Sequence, residues 1–334
     1  MNERAKGALL GLAVGDALGT TYEFARIEQP DYPTLATVPA RDVVGGGPFG
    51  LAAGQVTDDT QLAVCLARSL AEHGRVLSPD DVARRYVGWM AEAFDIGNQT
   101  RSALERIANG DPDGGFRSWR DSDRRPAGNG SLMRAAPIGV AYAQRPIAAL
   151  LGASMTESAI THADPRCMLA CAAFNNAIAC AVRRAVDASA MHEAAVGALR
   201  FANPEGFDGG ELPLVEQARD QLLGDLEAAR NDNPGVYGSA LHVHKTAGFV
   251  RVAFRLAFWH LLNTPNWRDA VVDVASRGGD ADTNAAIVGA LLGARDGAGA
   301  IPPAWVERVL GATQPGSAAW AEAHHPRHLM TLAE

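Results

Sequence analysis

The chain has 334 residues, of which 47% are apolar, and it carries a formal net charge of -8 at pH 7 with a pI near 5.6. This length and composition can bury a large core, whereas the acidic balance argues against a general binder of nucleic acids or anionic membranes. We therefore predict an ordinary globular protein, monomeric, whose partners are neither nucleic acids nor membranes.

The stretch from Gly7 to Ala17 contains glycines and Asp16, so it is too short and too interrupted for a signal sequence or a membrane span. No segment reaches roughly 18 uninterrupted apolar residues. The four cysteines form no C-x-x-C pair, which is typical of buried thiols in a reducing compartment. We predict a cytoplasmic location.

Apolar residues recur at helical spacing along most of the chain. Helices are predicted at residues 3–18, 59–72, 79–92, 101–108, 146–161, 166–188, 214–230, 246–262, 266–275 and 284–295. Loops are predicted at residues 28–56 and 111–125, a break at 203–213 and a Pro/Trp-rich tail after Pro302. The alternating β-branched runs that mark strands are short or absent. We predict an all-α fold, a single compact multi-helix orthogonal bundle, with one domain over residues 1–334.

Two polar motifs, far apart in the chain, carry hard oxygen donors. One is Thr57-Asp58-Asp59-Thr60 and the other is Gly278-Gly279-Asp280-Ala281-Asp282-Thr283. Carboxylate and hydroxyl oxygens are the ligands that Mg²⁺, Mn²⁺ and Ca²⁺ prefer. Each motif also precedes an apolar helix, so the alternative interpretation is a simple helix N-cap. Four carboxylates in one cleft would repel each other unless cations neutralise them, and the two motifs together favour a dinuclear metal site in a central cleft.

Four further features are candidates with simpler alternatives. Glu23 stands beside two aromatic residues and is otherwise a solvated loop carboxylate. The turn at residues 95–100 also fits helix capping. The glycine-rich turn at residues 128–134 could present backbone N–H groups to a phosphate, although such a turn is weak evidence alone. A single histidine such as His162 more often has a structural role, with its ring hydrogen-bonded, than a catalytic one.

Six motifs follow one another along the chain: Gly15-Asp16-Ala17-Leu18-Gly19 with Glu23, Thr57-Asp58-Asp59-Thr60, Asp95-Ile96-Gly97-Asn98-Gln99-Thr100, Gly128-Asn129-Gly130-Ser131-Leu132-Met133-Arg134, Thr161-His162 and Gly278-Gly279-Asp280-Ala281-Asp282-Thr283. Together they resemble the ADP-ribosylglycohydrolase family, in particular its dinitrogenase reductase-activating type. The resemblance runs from about residue 3 to residue 296. Each motif alone is unspecific, whereas six in this order are highly specific.

The resemblance implies an all-helical protein that holds two Mg²⁺ or Mn²⁺ ions in a cleft and hydrolyses the bond between ADP-ribose and a modified protein side chain. The metal ligands that it implies are Thr57, Asp58, Asp59, Asp280, Asp282 and Thr283. The catalytic residues that it implies are Glu23, Asp59 and Asp95.

The partners implied are an ADP-ribosylated protein and ADP-ribose itself. The substrate-binding residues implied are Gly97, Asn98, Thr100, Gly128, Asn129, Gly130, Ser131, His162 and Phe249. The turn at residues 95–100 would hold the ribose, the turn at 128–131 the diphosphate, and Phe249 would lie near the adenine. Phe249 stands where the family often has tyrosine, which removes a hydroxyl but leaves a ring for stacking. Ala281 replaces a frequent threonine.

Cleavage of an N- or O-glycosidic bond of ribose passes through an oxocarbenium-like state, so the site must orient the ribose and activate a water molecule. A carboxylate such as Glu23 or Asp59 would take the proton of that water.

We predict a preference for ADP-ribosyl-arginine, because the guanidinium is a permanent cation that a carboxylate such as Asp95 can face. The alternatives are a hydrolase of serine-linked ADP-ribose, a non-catalytic ADP-ribose-binding protein and a two-metal phosphoesterase.

Overall fold

The computed structural model describes residues 2–35 and 40–333, so residues 36–39 of the predicted loop at 28–56 lie outside the described part. The α-helices are α1 (Glu3–Gly19), α2 (Asp58–Glu72), α3 (Pro79–Met90), α4 (Asn98–Ala108), α5 (Gly114–Asp121), α6 (Ala136–Ala141), α7 (Ile147–Ala159), α8 (Pro165–Arg184), α9 (Ala188–Phe201), α10 (Leu212–Ala228), α11 (Val250–Asn263), α12 (Trp267–Ala275), α13 (Ala281–Asp296), α14 (Pro303–Gly311) and α15 (Ala318–Ala323). In these ranges extended pairing is limited to isolated bridges such as Arg26 with Gly278. The predicted all-α class is confirmed.

The helix predicted over residues 166–188 ends earlier, at Arg184. Ala185 has a φ of 52°, a left-handed conformation that ends α8 at Arg184. The side chain of Asp187 then accepts a hydrogen bond from the backbone N–H of Ala190 at 2.9 Å and begins α9, which the sequence analysis did not predict.

Two other segments were predicted as irregular and contain helices. The loop at residues 111–125 contains α5, and the tail after Pro302 contains α14 and α15. The tail helices bury Trp305 and Trp320, so large aromatic side chains fix a segment whose prolines indicate an irregular tail.

Helices α1 and α13 pack with their backbones in direct contact. Glycine recurs at every fourth position on the face of α1 that meets α13, at Gly7, Gly11, Gly15 and Gly19. A Cβ atom on Gly11 would lie 2.1 Å from the carbonyl oxygen of Gly289, and one on Gly19 would lie 2.4 Å from that of Ala281. Only glycine permits this approach. The helices run antiparallel, so the end of α1 lies beside the start of α13.

Helix α8 is the core helix that the sequence predicts between residues 166 and 188. By length and composition alone it could cross a membrane, but 89% of its apolar stretch is buried inside the fold. A helix that is apolar on nearly all faces is expected at the centre of a large protein core.

Candidate active site

A cavity of about 320 Å³ lies where the beginnings of α2, α4 and α13 converge. Its volume is in the range of small-molecule sites. Most of the site residues expected from the sequence line it, namely Glu23, Asp58, Asp95, Gly97, Asn98, Thr100, Gly128, Asn129, Gly130, His162, Asp280, Asp282 and Thr283. Five other residues, to which the motifs give no role, also line it, namely Phe24, Gln99, Met133, Ala247 and Gly248.

The α2 side of the cavity is built on Asp16, a buried carboxylate from α1. Thr57 precedes α2 without capping it through its own side chain. Instead, the Asp16 carboxylate accepts hydrogen bonds from the backbone N–H groups of Thr57 and Thr60, each at 3.1 Å, and from the Thr57 hydroxyl at 2.9 Å. Asp58 and Asp59 are thereby left free to point their carboxylates elsewhere. The signal for Asp16 was its position as the one charged residue in the stretch from Gly7 to Gly19.

On the other side of the cavity, Glu23 caps the start of α13. Its Oε2 atom accepts hydrogen bonds from the backbone N–H groups of Ala281 at 2.6 Å and Asp282 at 3.3 Å. A carboxylate in this position satisfies helix N–H groups and meets the positive end of the helix dipole. Asp280 is held separately, because the side-chain amide of Asn129 donates to its Oδ2 at 2.6 Å.

The two polar motifs meet in space, although 224 residues separate Asp59 from Thr283. The Thr283 hydroxyl donates to Asp59 Oδ2 at 3.3 Å. Carboxylate oxygens of Glu23, Asp280 and Asp282 lie within 4.8 Å of one another, and Asp59 Oδ1 is buried with no hydrogen-bond partner among the described residues. A buried oxygen without a donor is costly unless a cation meets it. The donor set is therefore of the kind that fits a hard divalent cation.

Burial and mutual repulsion disfavour the charged forms of these carboxylates. Burial, followed by repulsion from neighbouring aspartates, raises the pKa of Asp58 and of Asp59 well above the usual range. Burial likewise raises the pKa of Asp282 well above that range, and burial together with Asp282 raises the pKa of Glu23. Burial raises the pKa of Asp95 to about 7. Such a cluster is ionised at neutral pH only if positive charge is supplied to it.

His162 reaches the cavity at the end of a buried polar chain. The Arg134 guanidinium donates to Glu157 Oε1 at 2.7 Å and to the Thr161 hydroxyl oxygen at 2.8 Å. Because that oxygen accepts from Arg134, the Thr161 proton is free to donate to His162 Nδ1, 2.8 Å away. The imidazole proton then lies on Nε2. Burial, followed by the nearby Arg134 charge, lowers the pKa of His162 well below its usual value, so the ring is neutral.

The glycine-rich turn packs directly on that imidazole. A Cβ atom on Gly130 would lie 2.8 Å from His162 Cε1, and one on Gly128 would lie 3.3 Å from Nε2. The backbone N–H of Gly128 donates to the Gln99 side chain at 3.0 Å, and that of Asn129 donates to the Gly248 carbonyl at 2.9 Å. The turn is therefore fixed in position before any ligand enters.

Four residues expected at the site do not line the cavity. Thr57 and Asp59 are buried behind it. Ser131 is also fully buried and its hydroxyl accepts a hydrogen bond from Ser158. The half-buried ring of Phe249 lies under the Arg166 guanidinium, 5.4 Å from ring centroid to guanidinium carbon.

The ADP-ribosylglycohydrolase family model matches residues 1–332. The chain is 32% identical to the ADP-ribosylarginine hydrolase Tri1 of Pseudomonas putida, over 99% of this chain and 77% of that protein. It is 28% identical to the ADP-ribosyl-[dinitrogen reductase] glycohydrolase of Rhodospirillum rubrum, over 92% of this chain and 91% of that protein. A solved structure described as an ADP-ribosylglycohydrolase-related protein complex matches with a TM-score of 0.71 and 30% identity, over 99% of this chain and 97% of that one. The chain therefore belongs to the ADP-ribosylglycohydrolase family.

Proposed function

We propose that this protein is a metal-dependent hydrolase that removes ADP-ribose from arginine side chains of modified proteins. The observation that carries the proposal is the group of buried carboxylates at one cavity, with Asp59 Oδ1 lacking a partner among the described residues. The named activities of the similar proteins from Pseudomonas putida and Rhodospirillum rubrum support the reaction class.

The cofactor proposed is a pair of Mg²⁺ or Mn²⁺ ions. The side chains proposed to hold it are Thr57, Asp58, Asp59, Asp280, Asp282 and Thr283. When bound, such ions neutralise the carboxylates, orient hydroxyl oxygens and make a water molecule more acidic.

Glu23 and Asp59 are the residues proposed to accept the proton of the attacking water. Glu23 Oε2 already accepts the N–H groups of Ala281 and Asp282, which leaves its other oxygen to take the proton. Asp59, which belongs to the same cluster, is the second carboxylate proposed for this role. A general base has to lie within hydrogen-bond reach of the proton it removes, and both carboxylates belong to the same cluster.

Asp95 is proposed to face the leaving guanidinium. It is half-buried, lines the cavity, and has a pKa raised to about 7 by burial, followed by Asp16 and Asp280. A guanidinium beside it would favour the ionised carboxylate and form charge-assisted hydrogen bonds. The cavity is lined by carboxylates and, in the described part of the chain, by no lysine or arginine, which favours a cationic leaving group over a neutral serine hydroxyl.

The ADP portion is proposed to bind along the glycine-rich turn. The N–H groups of Gly128 and Asn129 already have acceptors, so the backbone N–H of Gly130 and the His162 Nε2 proton are the proposed donors to the diphosphate and ribose. The turn at Gly97, Asn98 and Thr100 is proposed to hold the ribose. Adenine beside Phe249 remains a prediction.

The test is a turnover assay on matched substrates. Purified protein is incubated with ADP-ribosyl-arginine protein and with ADP-ribosyl-serine peptide, in Mg²⁺, in Mn²⁺ and in EDTA, and ADP-ribose release is measured. We expect release from arginine only, lost in EDTA and in Asp280→Asn, and retained in Asp232→Asn, an exposed carboxylate used as control.

Asp95→Ala should lower turnover of the arginine substrate far more than it lowers affinity for free ADP-ribose. Binding of ADP-ribose without release would indicate a non-catalytic binding protein, and faster release from serine would contradict the linkage. Full activity of a preparation that calorimetry shows to be free of metal would contradict the proposed cofactor.

A further inference from the structure

Three phenylalanines from three separate segments form one edge-to-face series at the mouth of the cavity. The Phe24 and Phe49 ring centroids lie 6.5 Å apart at an interplanar angle of 67°, and those of Phe49 and Phe94 lie 5.6 Å apart at 64°. Phe24 is 65% exposed and Phe94 is 37% exposed, although neither has a polar group that prefers water. We call these three residues the aromatic rim.

Two residues of the aromatic rim are direct sequence neighbours of acidic residues at the cavity. Phe24 follows Glu23 and itself lines the cavity, while Phe94 precedes Asp95. Phe49 belongs to the loop at residues 45–50, which is attached to the same region by a hydrogen bond from the Thr21 hydroxyl to the Gly45 carbonyl at 2.9 Å. A macromolecule whose reacting group enters the cavity therefore has its neighbouring surface close to these rings.

Phe24 is held in place by an unusual backbone conformation. Its φ is 58°, in the left-handed region that residues with side chains rarely adopt. Its N–H donates to the Gly279 carbonyl at 2.7 Å, and the Gly279 N–H donates to the Ala25 carbonyl at 2.9 Å. These two bonds attach the Phe24 turn to the segment that carries Asp280. Core packing does not account for the strain, because the ring is mostly in solvent.

Two of the three rings lie outside the cavity. The cavity holds about 320 Å³, and Phe49 and Phe94 do not line it, so a ligand confined to it cannot cover them. Val44, which precedes the loop at residues 45–50 in the sequence, is 59% exposed as well. Clustered exposed apolar side chains next to a binding site are typical of surfaces that bind another macromolecule, and phenylalanine is enriched at the centre of such surfaces.

We propose that the aromatic rim is a docking surface for the polypeptide of the modified protein, and that it binds apolar side chains beside the ADP-ribosylated arginine. This inference rests on the proposed function. The carboxylates of the cavity receive the cationic arginine, and the rim contacts the chain that carries it. The rim increases the affinity of the enzyme for a modified protein. It does not increase the affinity for free ADP-ribose, which has no polypeptide to contact it.

The test compares substrates with and without a polypeptide. The variants are the double change Phe49→Ala with Phe94→Ala, and separately Phe24→Asn, because asparagine tolerates the left-handed conformation and removes only the ring. Phe201→Ala, which removes an 80% exposed ring at the end of α9, is the matched control. Circular dichroism and thermal unfolding establish that each variant folds.

For the double variant we expect kcat/KM on ADP-ribosylated protein to fall at least tenfold through KM. Its turnover of free ADP-ribosyl-arginine and its Kd for ADP-ribose in Mg²⁺ should change by less than threefold. Two ADP-ribosylated peptides that differ only in leucine or serine beside the arginine should be distinguished by the wild type and not by the double variant. Phe24→Asn should act in the same direction on the protein substrate, and Phe201→Ala should have no effect.

An equal loss of affinity for ADP-ribose would overturn the inference, because the rings would then bind the nucleotide. Unchanged kcat/KM on the protein and no peptide preference in the wild type would overturn it as well. A wild type that hydrolyses neither ADP-ribosyl-arginine nor the modified protein in Mg²⁺ or Mn²⁺ would instead refute the proposed function itself, and the inference with it.

Discussion

Buried carboxylates occur in two kinds of surroundings in this protein. Glu157 is fully buried and accepts hydrogen bonds from the Arg134 guanidinium and the Tyr86 hydroxyl, each at 2.7 Å. Glu211 accepts hydrogen bonds from Arg120 and Arg124, and the bond from Arg120 contributes most to lowering its pKa to about 2. These carboxylates carry their compensating charge within the chain.

The carboxylates of the cavity have no such partner. Among the described residues, the contacts of Asp58, Asp59 and Asp282 with charged groups are with other acids, and burial raises the pKa of each. The difference between the two groups separates acids whose charge an arginine compensates within the chain from acids whose charge nothing in the described chain compensates. The acidic cluster is ionised only if positive charge comes from solution, which is the basis of the proposed metal site.

The largest expected effect is on activity. Asp58→Asn should lower turnover of ADP-ribosyl-arginine protein by about 10³-fold or more, on the order of 4 kcal/mol of barrier height. Glu211→Gln, at a paired carboxylate, should leave turnover within about threefold, on the order of 0.6 kcal/mol. Initial rates in saturating Mg²⁺ give both values. Equal losses in the two variants would show that the comparison does not separate the two roles.

The next effect is on stability. Arg134→Met leaves Glu157 buried without its charge partner, and we expect a loss of about 3 to 5 kcal/mol in the free energy of unfolding. Urea denaturation followed by circular dichroism measures it. Arg134→Met combined with Glu157→Leu should recover part of the loss, because the uncompensated charge is gone. A loss below about 1 kcal/mol in the single variant would contradict the pairing argument.

The two groups should also respond to pH in opposite directions. In EDTA, the raised pKa values of Asp16, about 6, and Asp95, about 7, mean that these groups favour folding when protonated. Their contribution is complete below about pH 4 and is lost as the pH rises through 6 and 7. The contribution of Glu211, whose pKa is lowered to about 2, is present above its unfolded value and is lost as the pH falls toward 2.

Urea midpoints measured from pH 3 to 8 test this. Saturating Mg²⁺ should abolish the decline between about pH 4 and 7, and Glu211→Gln should abolish only the decline at acidic pH. A metal-free protein that is most stable at pH 8 would contradict the sign for the acidic cluster.

The smallest expected effect is a gain in stability at Asp282, a position proposed to be needed for activity. In EDTA at pH 7.5, Asp282→Asn should increase the free energy of unfolding by about 1 kcal/mol, because the folded protein no longer has to keep a buried acid protonated, or carry its charge beside other acids. Asp269→Asn is the matched control, since it changes an acid in the first turn of α12 outside the cluster. Isothermal denaturation compares the two. A loss of stability in Asp282→Asn as large as in the control would show that repulsion does not matter there.

The sequence predicts the long helices because their apolar segments are long. It does not predict the break at Ala185, since a left-handed residue other than glycine leaves no reliable signal. Helices α5, α14 and α15 are short and stand between glycines and prolines, and each buries an aromatic residue, namely Trp119, Trp305 or Trp320.

The site residues were found through motifs, and the missed ones act through contacts that no motif contains. Asp16 accepts hydrogen bonds from the start of α2 at Thr57, which lies 41 positions later in the chain. Arg134 was visible as the end of a glycine-rich motif, but its buried bonds to Glu157 and Thr161 depend on the packing of α7. The aromatic rim combines three loops, and exposure cannot be predicted from residue type.

The antiparallel contact between α1 and α13 has a consequence for the order of folding. Helix α1 is synthesised before α13, and the surface that its glycines fit is completed only with α13, more than 260 residues later. Contacts of such high sequence separation slow folding, and until α13 is made the apolar face of α1 lacks its partner. The acidic cluster forms at the end of that contact, so the nascent chain cannot assemble the complete cluster before α13 has emerged.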